Sequence, residues 1–361
     1  MKNLFLVNLG VRSGEKVLVL TDKKSKAISE IAKRVVECGK ELGFKVDFLQ
    51  MPSVAGHSQE PQELVWKKVI SPENVLNLKQ EGLFKKLISK EASEEDRERA
   101  ALSIDLKFLP DVVIAITYFS TTHTNFRRLL TRKGTRYASM PLFSESMWAG
   151  PMDVDYEKMA KQASKLKKVL EKGEEVEITA PSGTQLKFSI KDRPIHIDSG
   201  ILRNPGDFGN LPAGEVFLAP VEGTASGRLV INFKGDKKLT SPIIAEIKDG
   251  KVAKITGKKA SQLREVFEKE PLARNIAEFG IGINPKARNL NNILEAEKIL
   301  GTIHIAFGDN SGFGGMVSAN FHEDFVVSSP QVVIWKKKVK RVIIESGKVL
   351  IYTEKKLVCE I

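Results

Sequence analysis

The chain has 361 residues, 42% of them apolar and 28% charged, enough for two domains with real cores and too apolar for a disordered chain. It has no apolar run of about eighteen residues or more, so no membrane partner is expected. Its net charge of +12 invites a nucleic-acid reading, but lysines and glutamates interleave along the chain, as at 91–99 and 265–270, so no nucleic-acid partner is expected either. The densest basic run, 336–340, reads as a solvated strand or its end. Two cysteines, Cys38 and Cys359, form neither a disulfide framework nor a thiolate metal motif, which points to a reducing cytoplasm. Abundant Lys and Glu with few Cys also fits a thermophile.

Residues 1–10 are apolar but interrupted by Asn8, with no small-residue cleavage site after them, and read as part of the fold rather than a leader. A buried-strand pattern at 16–20 is followed by a helical period at 25–42, with Ile28, Ile31, Ala32, Val35 and Val36 on one face and Gly43 as the stop. A second strand at 45–49 completes a βαβ unit, and 111–117 continues the sheet. The first βα turn, 21–25, lacks a glycine fingerprint, which disfavours a dinucleotide site. Residues 156–171 form one more helix. Beyond it the pattern turns to strands: a hairpin at 176–190 around Pro181, Ser182, Gly183 and Thr184, then runs at 228–233, 243–247 and 251–255, with a helix at 261–269. We therefore expect an α/β parallel-sheet domain over 1–172 and a β-rich α+β metal-binding domain over 173–361.

The chemistry concentrates in the second half. In a strand, residues two apart share a face, so His322 and Asp324 project together, away from Phe321, Glu323 and Phe325. In the run 301–308, Ile303, Ile305 and Phe307 alternate against Thr302, His304 and Ala306. Glu278 alternates in the same way with Gly280 and Gly282 against Phe279, Ile281 and Ile283, and Glu215 lies among apolar neighbours. A carboxylate in such a strand needs a cationic partner. Two histidines and three carboxylates in one β-rich domain suit a divalent metal, and a pair of metals sharing a carboxylate suits hydrolysis.

Four runs, 210–220 (NLPAGEVFLAP), 277–282 (AEFGIG), 297–308 (EKILGTIHIAFG) and 322–324 (HED), resemble the thermophilic metallo-aminopeptidases called aminopeptidase T and S. Ser120, Thr121, Thr122, His123 and Thr124, followed by Arg127, Gly134, Arg136, Met140 and Pro141, look like that family's first-domain motif. The resemblance implies two divalent ions (Zn, Co or Mn) held by Glu215, Glu278, Glu297, His304, His322 and Asp324; Glu297 enters on the resemblance alone. It also implies Glu278 as a catalytic residue, with Glu278 or Glu215 handling protons, His123 and Arg127 as further catalytic residues of the first domain, a homodimer, and release of N-terminal residues from short peptides. The peptidases' tyrosine beyond the counterpart of His304 has no match in 309–315, where Ser311 lies nearest the expected place. A related branch, the ring-opening 2,5-dihydroxypyridine dioxygenases, uses one Fe(II) on two histidines and an aspartate. His304, His322 and Asp324 meet that description, with His123 as an acid or base across an interdomain cleft. A metal-binding protein without catalysis is the third expectation.

Overall fold

A computed structural model of the chain describes residues 1–234, 237–353 and 356–360, with backbone alone for Lys237 and from residue 351 onward. The side chain of Cys359 therefore lies outside the described residues, and Cys38 is a free thiol. Two units divide the chain: residues 1–148 with 200–211, and 149–199 with 212–361.

The first unit follows the βαβ pattern read from the sequence. Strand β1 (Lys16–Asp22) leads into α1 (Lys26–Glu41), whose first turn is capped by Ser25, and α1 returns the chain to β2 (Lys45–Met51), parallel to β1. Four helices that local periodicity did not disclose come next: α2 (Glu63–Ile70), α3 (Pro72–Gln80), α4 (Leu83–Ser89) and α5 (Glu94–Leu102). They are short and held by packing rather than propensity. Strand β3 (Val112–Ile116), helix α6 (Asn125–Arg132) and strand β4 (Arg136–Ser139) complete the main run. Leu18, Leu20, Val113, Ala115 and Tyr137 share one core cluster with Trp66, Phe84, Phe126 and Leu130, so one face of the sheet lies under α2–α6. Helix α1 packs along β1, β2 and β3, burying Ile28, Ile31, Ala32 and Val35. Parallel strands covered in this way read as continuous apolar runs.

Helix α7 (Tyr156–Leu170) packs on strands of the second unit, and the division falls after Trp148 rather than near 173. The expected single boundary is therefore corrected, because the apolar face of α7 is covered by strands that follow it in the sequence. Next come β5 (Glu175–Thr179), β6 (Gln185–Ser189) and β7 (His196–Asp198). The chain then rejoins the first unit as β8 (Phe208–Asn210), which pairs in parallel with β4 and extends the sheet to the order β2-β1-β3-β4-β8. No short-range pattern signals such a return.

The remaining strands build two antiparallel sheets. In chain order they are β9 (Glu215–Leu218), β10 (Ser226–Lys234), β11 (Lys237–Lys248), β12 (Lys251–Thr256) and, after α8 (Ser261–Lys269), β13 (Ile276–Gly282). A short α9 (Ile293–Ala296) precedes β14 (Ile303–Gly308), β15 (His322–Val327), β16 (Gln331–Lys336), β17 (Val339–Glu345), β18 (Lys348–Thr353) and β19 (Lys356–Glu360). Nine strands run β12-β11-β10-β6-β5-β16-β17-β18-β19; five run β15-β14-β13-β9-β7. Phe188 of the larger sheet meets Phe279 of the smaller edge to face, with ring centres 5.3 Å apart. The fold is thus a parallel-sheet α/β unit joined to a β-rich unit. No helix among the described residues is long and apolar enough to cross a membrane.

Candidate metal centre

The five-stranded sheet places a charged side chain opposite a small residue at each of its functional positions. Glu215 pairs with Gly282, His304 with Gly280, Glu278 and Asp324 both with Ala306, and His322 with Gly308. The alternate positions, among them Phe279, Ile281, Ile303, Ile305, Phe307 and Phe325, are buried in the core. The period-two pattern therefore puts all five donors on one face. The bare backbone at Gly280 leaves room for the imidazole, since a Cβ there would lie 2.0 Å from His304 Cε1 and Nε2. At Gly282 a Cβ would meet the Ile299 carbonyl at 2.2 Å, so the segment carrying Glu297 and Lys298 presses against bare backbone.

Two groups of three side chains converge, Glu215 with Glu278 and His304, and Glu278 with His322 and Asp324; within each group the ligand atoms lie within 4.8 Å of one another. Glu278 belongs to both. Its two oxygens lie 3.2 Å from His304 Nε2 and 3.5 Å from His322 Nε2, and Asp324 Oδ2 is 3.5 Å from the same His322 nitrogen. The Nδ1–H of His322 donates to the Asp309 carbonyl at 2.8 Å, which turns Nε2 toward the carboxylates.

Glu297, the sixth expected ligand, is in neither group. Lys298 accounts for its position: fully buried, it places Nζ 2.6 Å from Glu215 Oε1 and 3.1 Å from Glu297 Oε2. Helix α9 ends at Ala296, and the following turn carries Lys298 inward. A lysine beside a glutamate in a helical-looking run reads as a solvated pair, so Lys298 went unrecognised, as did the Asp309 carbonyl. Ser311 donates to Asp309 Oδ1 at 2.9 Å and is therefore bonded to the residue that orients His322. Phe313 packs edge-on against His322 with ring centres 6.0 Å apart. His123 and Arg127 belong to the first unit, His123 half-buried in the turn before α6 and Arg127 buried in its first turn; neither is among the converging donors.

The electrostatics are those of a carboxylate cluster short of cations. Burial lifts Glu278 and Glu297 above the usual carboxyl range, Glu297 to about 8, with the charge of Asp324 adding to both. For Lys298 burial works against the charge, but Glu215, Glu297 and Asp198 outweigh it and hold the ammonium charged. Burial likewise opposes protonation of the histidines; Glu278, Glu215 and Asp324 nevertheless raise His304 to about 9, and Asp324 with Glu278 raises His322 to about 10. Burial disfavours the Asp324 carboxylate, but His322 and His304 prevail and hold it below the usual range. The cluster thus draws in whatever positive charge is at hand. Glu215 Oε2, His304 Nδ1 and Asp324 Oδ1 are buried without a hydrogen-bond partner. Unsatisfied nitrogen and oxygen donors in a buried acidic cluster fit a divalent metal.

A family model described as 2,5-dihydroxypyridine 5,6-dioxygenase matches residues 4–350. Among solved structures, a 2,5-dihydroxypyridine dioxygenase from Pseudomonas putida KT2440 is similar at a TM-score of 0.68 and 16% identity, covering 95% of this chain and 93% of that one. Wild-type AmpT from Thermus thermophilus is similar at a TM-score of 0.54 and 16% identity, covering 96% of each chain. A search of curated proteins found no match. At such identities the structures establish the fold, and they agree with the aminopeptidase T resemblance at that level. The expected activity does not survive: the family match replaces metallo-aminopeptidase, hydrolase and proteolysis with an oxidoreductase family whose chemistry implies a metal. Two features of the chain go with this correction, the absence of a tyrosine in 309–315 and the pairing of Glu215 and Glu297 with Lys298. With the match running across nearly its whole length, the chain belongs to the 2,5-dihydroxypyridine 5,6-dioxygenase family.

Proposed function

We propose that this protein is a mononuclear Fe(II) dioxygenase that opens a hydroxylated aromatic ring, with His304, His322 and Asp324 holding the iron and Glu278 beside them. The observation that carries the reading is Lys298. Its ammonium engages one oxygen each of Glu215 and Glu297 and so sets a positive charge against the Glu215 side of the cluster, while Glu278, His322 and Asp324 converge without bonding it and His304 lies against Glu278. Two histidines and a carboxylate are the donor set of non-haem iron oxygenases.

When bound, Fe(II) supplies the one-electron chemistry that lets O2 react with a closed-shell ring. Both oxygen atoms enter the product, a ring carbon–carbon bond breaks, and no external reductant is consumed. The chain does the rest. Asp309 fixes the His322 ring through its backbone carbonyl, and Gly280 keeps space for the His304 ring. Glu278, shielded from water and raised in pKa by burial, would take the proton of a ring hydroxyl. The apolar wall at Phe313 and Phe217 suits a flat aromatic substrate. A reducing compartment such as the cytoplasm is the setting we assign, because it preserves ferrous iron.

The test is anaerobic reconstitution with Fe(II), followed by addition of 2,5-dihydroxypyridine and related dihydroxylated rings in an oxygen-electrode cell. One iron per chain, with O2 uptake equal to the loss of ring absorbance, is expected. Glu278→Gln should retain the iron while slowing turnover by about 100-fold or more. Iron uptake without oxygen consumption on any ring would sink the oxygenase reading.

A further inference from the structure

The first unit contains a buried arginine that the metal centre does not use. Arg127, in the first turn of α6, is 6% exposed. Its Nε–H donates to the Thr122 carbonyl at 2.7 Å, and its guanidinium carbon lies 3.8 Å from the centre of the Phe208 ring. Among the described residues its two terminal nitrogens have neither an ion pair nor a hydrogen bond. Glu60, whose charge reaches Arg127, accepts instead from the amides that open α6, including Phe126 N–H at 3.1 Å. Burial accordingly pulls the guanidinium well below its usual pKa, to about 9. A buried guanidinium whose fork bonds no carboxylate is costly and persists where something supplies that partner.

A second, independent observation comes from the strand that pairs with Phe208. Ser139, the last residue of β4, is 2% exposed, and its hydroxyl has no partner. It stands two residues beyond Tyr137, on the α6 side of the sheet, and directly opposite Asn210 at the end of β8; Tyr137 is opposite Phe208. Thr122 Oγ1–H donates to Asn210 Oδ1 at 3.1 Å, and Tyr137 Oη and Thr121 Oγ1 are 2.8 Å apart, so the loop bearing Thr122 closes over these strand ends. Carboxyl ends of parallel strands are where open α/β sheets bind ligands. Phe208 flattens one side of the guanidinium and leaves its fork as the polar edge, a shape suited to two oxygens of one anion.

We propose that Arg127 and Ser139 form an oxyanion-binding site at the carboxyl ends of β4 and β8, taking a carboxylate or phosphate group of a small molecule. The site is independent of the metal and of the oxygenase reading. It is tested on the full chain, metal-free and in chelator, by calorimetric titration and thermal melting with inorganic phosphate or benzoate against chloride at equal ionic strength. Saturable binding of one of the two anions at one site per chain is expected, and which one binds distinguishes a phosphate from a carboxylate ligand. Arg127→Met should abolish the response and Ser139→Ala should weaken it about tenfold. Arg127→Lys, which keeps the charge but loses the fork, should also weaken it. An absence of saturable binding by either anion overturns the proposal, as does Ser139→Ala and Arg127→Lys both binding like the wild type.

Discussion

Replacing Lys298 by methionine keeps the length of the buried side chain and removes its ammonium. A second divalent ion on Glu215, Glu278 and His304 would sit near the Lys298 Nζ, which is 2.6 Å from Glu215 Oε1. At about 4.5 Å and an effective dielectric of about 20, the repulsion between the ammonium and a doubly charged ion is about 7 kcal/mol, or roughly five decades in affinity. Relaxation and counter-charge will absorb much of that, so the expected gain in second-ion affinity for Lys298→Met is about 100-fold or more. The same substitution strands Glu215 and Glu297, and loss of one partner of a buried pair costs about 3–5 kcal/mol. In chelator the variant should therefore melt well below the wild type, and divalent metal should restore it. Elemental analysis after dialysis and calorimetric titration measure the stoichiometry; thermal melting with and without chelator measures the stability. A variant that melts with the wild type in chelator and still takes one ion would refute the role given to Lys298.

Gly280→Ala should displace the His304 ring, because the new Cβ would lie 2.0 Å from two of its atoms. A loss of metal affinity of about 10–100-fold is expected, measured by titration with Co(II) or Fe(II). The pH dependence of the metal-free protein follows from the histidines, with folded pKa values of about 9 for His304 and about 10 for His322, above the ordinary 6.5. Raised folded values mean stability fully present below pH 6.5 and lost as pH climbs toward 9–10, with a slope of up to about 1.4 kcal/mol per pH unit for each proton. Denaturant unfolding in chelator across that window should show the decline. Metal affinity should rise over the same range as the imidazoles give up their protons, and a flat stability profile would contradict the assignment.

Much of the candidate site could be read from alternation alone. Large residues at 279, 281, 303, 305 and 307 leave Glu278 and His304 on the opposite face, and the sheet places them there with His322, Asp324 and Glu215. The period of a strand is local, so it survives in the sequence. Lys298 did not show, because its inward turn depends on the bare backbone at Gly282, a contact made by a different strand. The return of β8 to β4 and the helices between Glu63 and Leu102 were hidden for the same reason: they are stabilised by partners distant in the chain. Family likeness singles out Arg127, yet the burial of its guanidinium beside an aromatic ring emerges only once β8 sets Phe208 against it.

How a buried acidic cluster is neutralised decides what it can do. Protons on His304 and His322 satisfy it in the metal-free chain, but they occupy the nitrogens that a metal needs. A second metal would satisfy it too, at the cost of pushing against an ammonium held between Glu215 and Glu297. A single ion on the histidine side would displace the protons and leave the Lys298 pairs in place, with Glu278 between the two imidazoles. On the proposed reading, a resident lysine and one exchangeable metal would divide that task, and a second metal would have to work against the charge the chain itself has put there.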